Sequence, residues 1–380
     1  MRICFVSTAK QWGGGEQVLA TLIEAVASTQ HEVALVARQC SPMARWGRQR
    51  PWLLVREQPG RGRSPVSLWQ LRRWLIYHRF DVLVLNDPHA ITSGGLASYH
   101  TDLLKIGIRH TIFPIRSAAK HNRLLDQVVC VSQAASQQCE SAGILPEKTS
   151  IIYGGVPQRT VDPNDNAKVR NLFQSAAQDD SDRHLLAIGS LLPVKGFDTI
   201  IRAIARGTTA SRGWHLWLAG GGPQRTALES LATQLQVDDR VHFLGFRAEV
   251  AELLANADLF VSASHSEGLS LVLIEAMLAG CPIAATAVGG TCEVMRVDAS
   301  GKSPCAVLFE PGNVEQLTAA IDKGLARSPA QQLRVATAKN WAEATFSAQQ
   351  MASSHLALYQ QLLDAKKPRS KSKDARPQAA

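Results

Sequence analysis

Two glutamates with seven residues between them, Glu267 and Glu275, bracket the stretch "EGLSLVLIE". Glu267 falls in a polar loop, and Gly268 beside it lets the backbone turn tightly. Ser270 is a candidate cap for a helix expected over 271–279. The free N–H groups at such a helix start form an anion site. Carboxylates accept hydrogen bonds from hydroxyls, so two acids beside a phosphate site suit a sugar or a ribose. Glu275 stands among Leu273, Ile274, Ala276 and Met277, where a merely solvated acid is out of place. Near the chain start, "GGGEQVL" places Gly14 and Gly15 between a strand and a helix. This is not a G-x-G-x-x-G fingerprint, and any tight strand–helix turn uses glycine. Glu16 at the helix start complements the macrodipole.

These residues need elements to hold them. Short apolar runs alternate with helical spacing along most of the chain. In the first half they are "RICFVST", "EVALVAR", "WLLVRE", "DVLVLND", "HTIFPI" and "QVVCVSQ". In the second half they are "HLLAIGS", "HLWLAGGG", "VHFLGF", "DLFVSAS", "CPIAATAVGG" and "AVLFEPG". Most are continuous rather than alternating, which predicts strands buried on both faces. Strand–helix repetition then predicts parallel sheets flanked by helices. About a dozen strands are too many for one ordinary sheet. The break "IIYGGVPQRTVDPNDNAK" marks a boundary between two domains. Ligands of such sheets bind outside the carboxyl ends of the strands, and two facing domains make a cleft.

The second half resembles the retaining glycosyltransferases of the GT-B fold, glycosyltransferase family 4. The resemblance rests on "EGLSLVLIE" and its ordered context: "GSLLPVKGFDTIIRAI", "LAGGGPQRTALE", "VHFLGF", "EGLSLVLIEAMLAGCPIAATAVGG" and "VLFEPGN". It implies an α/β chain with two facing Rossmann-like doubly wound domains. The expected layout is an acceptor-side domain over 1–155, a linker over 156–183 and a donor domain over 184–340. A helix over 341–364 would cross back, and 365–380 would be a disordered basic tail. The resemblance implies that Glu275 holds ribose hydroxyls and that Glu267 faces the transferred sugar. The amides of Gly268, Leu269, Ser270 and Leu271 would touch sugar and diphosphate, with Phe246 also on the donor side. Lys195 matches a phosphate-binding lysine; alone it reads as a solvated turn residue. Ser190 stands where the family carries an arginine, with Arg225 and Arg247 as nearby cations. Gly14 and Gly15 would approach the donor from the first domain. His110 is the best match for a histidine near the reacting carbon, with His89, Arg109 and Arg116 as alternatives. The donor would be a UDP- or GDP-sugar and the acceptor a glycan or glycolipid, with no metal or other cofactor.

Charge separates the halves. Residues 1–160 hold 19 Lys and Arg against 10 Asp and Glu, whereas 161–364 hold 16 against 21. Between Arg38 and Arg79 lie ten arginines, one acid (Glu57) and four tryptophans, Trp46, Trp52, Trp69 and Trp74. Nothing in the second half marks a nucleic-acid binder, and the resemblance implies work on lipid-linked or phosphorylated glycans, so this face is read as meeting an acceptor or an anionic membrane, with a merely solvated basic face as the alternative. Seven scattered cysteines without a C-x-x-C argue against a disulfide framework or a zinc site. The longest apolar stretch, 268–290, contains Glu275 and Pro282, which argues against a membrane span. With no signal-peptide pattern at the start, the expected location is the cytoplasm.

Overall fold

The computed structural model describes residues 1–177, 179, 181–207 and 213–366. The tail expected over 365–380 lies outside these residues except for 365 and 366, which end the last helix. The first sheet contains β1 (Arg2–Ser7), β2 (Glu32–Arg38), β3 (Leu54–Gln58), β4 (Val82–Leu85), β5 (Leu104–Arg109), β6 (Gln127–Cys130) and β7 (Thr149–Ile151). Its order is β3-β2-β1-β4-β5-β6-β7. The second contains β8 (Arg183–Ile188), β9 (Trp214–Ala219), β10 (Val241–Gly245), β11 (Leu259–Ser262), β12 (Ile283–Thr286) and β13 (Val307–Phe309). Its order is β10-β9-β8-β11-β12-β13. Adjacent strands pair in parallel throughout both sheets. The two expected doubly wound domains are therefore present.

Continuous apolar strands explain why both faces of each sheet are covered. Ile3, Cys4, Phe5 and Val6 of β1 are all fully buried. Ile3 and Phe5 pack into one core layer, and Cys4 and Val6 into the layer on the opposite face. Helix starts are set by a repeated local device. Ser41–Pro42, Ser64–Pro65, Asp87–Pro88, Asp162–Pro163 and Ser328–Pro329 each place a capping oxygen before a proline at the first helical position.

Three expectations need correction. The run "HTIFPI" is not a strand: β5 ends at Arg109, and Pro114 has no N–H to give a ladder. The short strand β7 has no apolar run to announce it. The interval 156–183 holds a 14-residue helix, Pro163–Ala176, rather than a bare linker. Its Val169 and Phe173 are buried in the second-domain core, and Phe173 stacks on Trp217 at 4.5 Å. The return crossing also begins later than 341. Helix Pro329–Thr345 stays on the second domain, and helix Ala348–Lys366 buries Met351 and Tyr359 in the first.

The chain leaves the first domain at Val156 and returns at Ser347. These two threads meet: Val156 N–H donates to the Phe346 carbonyl at 2.8 Å, and Ala348 N–H to the Val156 carbonyl at 3.2 Å. A second tie lies across the cleft. The Glu293 carboxylate accepts from Gln133 N–H (2.7 Å) and Ala134 N–H (3.0 Å), at the first turn of helix Gln133–Ser141. Backbone donors and the helix dipole both favour an anion there. Glu293→Ala should remove charged bonds of about 1.5–3 kcal/mol and open the domains. Small-angle scattering checks this as a larger radius of gyration for the variant than for the parent.

Candidate active site at the interdomain cleft

Each sheet reverses its winding direction next to its first strand, between β1 and β4 and between β8 and β11. Loops diverge at such points and leave a crevice at the strand ends. The predicted chemistry gathers there. After β8, Gly189 to Gly196 carries Lys195; after β11, Ala263 to Ser270 carries Glu267. Gly196 has φ +63°, and a side chain on it would strike the Ala263 carbonyl, so only glycine lets these loops touch.

Lys195 Nζ lies 2.5 Å from Glu267 Oε1. The same oxygen accepts from Ser264 Oγ at 2.7 Å, and Thr286 Oγ1 donates to the Ser264 carbonyl at 2.6 Å. Glu267 is buried, whereas Lys195 stays part-exposed toward the cleft. Ser264 and Thr286 were not anticipated, since isolated hydroxyl residues at strand ends carry no pattern. Glu275 sits one turn into helix Leu271–Ala279. Burial raises its pKa, with the Arg159 charge acting the other way. Among the described residues its carboxylate has no hydrogen-bond or ion-pair partner. Ser270 occupies the N-cap position but its side chain makes no capping bond. Leu269 and Leu271 pack against the cores of both domains.

The first domain contributes the opposite wall. His110 follows β5, and its carbonyl meets Gly268 so closely that a methyl group at 268 would collide with it. His110 Nε2 pairs with Asn86 Oδ1 at 2.7 Å, and its ring lies against Gly15. Burial pushes the His110 pKa down to about 4, so the ring is neutral at pH 7 and Nε2 carries the donated hydrogen. Asn86 Nδ2 also reaches Glu16 Oε1 at 3.4 Å. Burial, reinforced by Asp87, pushes the Glu16 pKa up to about 7, so Glu16 is more than a helix-start acid. Asn86 links the two; a lone asparagine at a strand end gives no sequence signal.

The other candidates separate. Gly14 faces open space. His89 lies on the rim and bonds Arg63 rather than His110. Arg109 turns to the Phe113 carbonyl, and Arg116 is exposed. Ser190 is exposed after β8, and Phe246 is 84% exposed after β10. Arg225 and Arg247, the possible substitutes for a cation at 190, are paired with Glu229 and Glu249. The loops still adjoin, since Gln224 N–H donates to the Leu191 carbonyl at 3.1 Å. No cluster of three or more metal-ligating side chains occurs among the described residues.

Residues 12–159 match the model described as Glycosyltransferase Family 4, and residues 168–344 match Glycosyl transferases group 1. The chain therefore has the GT-B architecture, and its two domains are each similar to glycosyltransferase domains. Among individual relatives, the chain is 37% identical over 156 residues to the lipopolysaccharide glucosyltransferase WaaG of Escherichia coli, covering 41% of this chain and 40% of that one. It is 30% identical over 203 residues to an uncharacterized glycosyltransferase of Methanocaldococcus jannaschii, covering 52% and 50%. The matched segment thus spans about half the length, or less, of these curated relatives. The structure of Anabaena HepE in complex with UDP superposes with a TM-score of 0.81 at 22% identity, covering 95% of this chain and 100% of that one. At that identity the likeness concerns the fold.

Glu16 gives a pH test. Its folded pKa lies above the ordinary 4.5, so between pH 4.5 and about 7 the folded state holds more proton than the unfolded one. Stability from this group is full at low pH and is lost as pH rises through 7. Glu16→Gln should remove that fall. Urea midpoints measured from pH 5 to 8 should then decline less for the variant than for the parent.

Proposed function

We propose that the protein moves a hexosyl unit from a UDP- or GDP-sugar to a hydroxyl of a glycan, glycolipid or lipopolysaccharide-type acceptor, with retention of anomeric configuration. The observation that carries the reading is Glu275, a part-buried carboxylate without a hydrogen-bond or ion-pair partner among the described residues, beside a helix start and the Lys195–Glu267 pair. Ribose hydroxyls would satisfy it. The diphosphate would lie between Lys195, the Ser190 hydroxyl and the amides of Gly268 to Leu271. Glu267 would face the sugar.

As the bond from the sugar carbon to the diphosphate breaks, positive charge grows on the sugar and negative charge on the leaving group. Lys195 and the amides stabilise the latter, and such pre-placed donors are each worth about 2.7–4 kcal/mol. Retention follows when the acceptor oxygen bonds on the face the diphosphate leaves and passes its proton to the departing phosphate oxygen. The scheme requires no metal ion. Neutral His110, fixed by Asn86, would line the sugar from the other domain.

Ser190 favours a second reading. Without a cation at that position the chain could bind sugar nucleotides yet turn them over weakly, as a scaffold. Purified protein incubated with UDP-glucose or GDP-mannose separates the two: an enzyme slowly releases nucleoside diphosphate, and a scaffold binds without release. Ser190→Arg should raise donor affinity or turnover and Lys195→Ala should lower both. Loss of activity in Ser190→Arg would mean that another cation already fills the space. Glu275→Ala should weaken nucleotide binding by about 1.5–3 kcal/mol, measured by calorimetry on the folded variant. Unchanged affinity would overturn the donor-site assignment.

The reading includes a cytoplasmic location against an anionic membrane face. No described helix is long and apolar enough to cross a membrane. Support for surface contact comes from helix Pro65–Tyr77, which exposes Val66, Trp69, Arg73, Ile76 and Tyr77 along one stripe. Arg73 lies over the Trp69 ring at 4.8 Å. The neighbouring arginine differs: Arg72 bonds the Ala97 and Tyr99 carbonyls at 3.2 and 2.7 Å and is structural. Trp46 and Trp74 are also part-buried, packed against Trp12 and Phe80. Trp69→Ser with Arg73→Glu should therefore abolish sedimentation with anionic vesicles and leave nucleotide binding intact. Equal partitioning of the parent onto neutral and anionic vesicles would remove the membrane reading.

A further inference from the structure

The rim of the first domain carries cations that the reaction above does not use. Helix Pro88–Ala97 begins two residues beyond Asn86, the residue that holds His110. At its start, Lys120 Nζ reaches the Pro88 carbonyl at 3.2 Å and Thr92 Oγ1 at 3.4 Å. Arg63 bonds Nδ1 of His89. Arg61 is close enough that, after burial, its charge and those of Arg63 and Lys120 oppose protonation of His89. None of Arg61, Arg63 or Lys120 takes part in an ion pair among the described residues. The acid that faces this group, Asp87, is already engaged. It accepts from Thr8 N–H (2.6 Å), Thr8 Oγ1 (2.7 Å), His89 N–H (2.9 Å) and Ala90 N–H (2.9 Å).

Three like charges around one imidazole repel each other and are stabilised by an anion among them. Two guanidinium forks and an ammonium offer more N–H donors than the two oxygens of a carboxylate use, and a phosphate has the oxygens to meet them. With Arg63 donating to Nδ1, neutral His89 carries its hydrogen on Nε2 and adds a fourth donor. The diphosphate of a donor would be met on the opposite wall by Lys195, so this cluster is free for a different ligand. We propose that Arg61, Arg63, His89 and Lys120 form a phosphate-binding subsite that selects an acceptor bearing a phosphate group. The proposal rests on the glycosyl-transfer reading for the word acceptor, but the subsite itself does not. Arg63 directly precedes the Ser64 cap of helix Pro65–Tyr77, and Arg61 lies two residues before Arg63, so the phosphate can belong to a lipid at a surface or to a soluble molecule.

The test uses the full chain with its donor site saturated by UDP. Inorganic phosphate is titrated and followed by phosphorus NMR. In parallel, the chain is sedimented with vesicles of phosphatidylcholine alone or mixed with phosphatidic acid. Arg63→Gln with Lys120→Gln should weaken phosphate binding at least about tenfold, the scale of charged hydrogen bonds, and leave UDP affinity unchanged. Arg61→Gln with Arg63→Gln, two exposed positions, provides the same test if the Lys120 change impairs folding. Vesicle retention that needs phosphatidic acid and is lost in the variants assigns a lipid phosphate. Free-phosphate binding lost in the variants without vesicle retention assigns a soluble one. Phosphate bound equally by parent and variants, or not bound by the parent, overturns the subsite. Failure of the parent to bind UDP would sink the donor reading instead, and the titration without UDP would still decide this site.

Discussion

The cleft depends on how closely two backbones can approach. A side chain at 268 would strike the His110 carbonyl, one at 289 the Glu267 carbonyl, and one at 290 the Gly268 carbonyl. These three glycines let the loop that carries Glu267 press against the first domain on one side and against the start of helix Thr291–Val294 on the other. Gly290 N–H then fixes the Glu267 carbonyl at 3.0 Å, while Ser264 and Lys195 fix its carboxylate. Rigid support of this kind is what a reacting site requires, because small displacements of a positioned group are costly.

The electrostatics divide along the same seam. At the cleft the second domain offers Glu267, Glu275 and Lys195, and among the described residues the lysine pairs with Glu267 and not with Glu275. The first offers a neutral histidine, a carboxyl with raised pKa and a rim of arginines and lysine. Burial is the main cause in each shifted group: it lowers His110 and raises Glu16 and Glu275. The first-domain wall therefore carries a neutral His110 and a part-ionised Glu16 near pH 7, which suits contact with hydroxyls.

Much of the fold was legible because parallel strands buried on both faces must be nearly all apolar. Eleven of the thirteen strands fall within or overlap runs visible in the sequence. The two that do not illustrate the limits. β7 reads "TSI", too short and polar to stand out, and β5 was displaced by the apolar but proline-containing run that follows it. Helix Pro163–Ala176 was hidden by its own cap: Asp162, Pro163, Asn164 and Asp165 read as a loop, although Val169 and Phe173 keep helical spacing. At the site, Glu267, Glu275 and Lys195 stood out through the motifs that contain them. Asn86 and Glu293 did not, because each acts through a partner far away in sequence, and Ser264 did not, because a lone hydroxyl at a strand end carries no pattern. The arginine-rich segment marked a basic face, but only packing distinguishes Arg73, on the outer stripe, from Arg72, which ties down a neighbouring helix end.

The paired threads at Val156 and Ser347 have a mechanical consequence. Two covalent connections joined side by side by hydrogen bonds act as a single pivot, because neither can slide without breaking its bonds to the other. Gly155 tightens this further, since a side chain there would strike the Ser347 carbonyl. Relative translation of the domains is thereby opposed at this point, and what remains is rotation about an axis through the crossing. A swing about that axis leaves the pivot end of the cleft almost still and moves the far rim most, so the amplitude of any opening is set by distance from Val156.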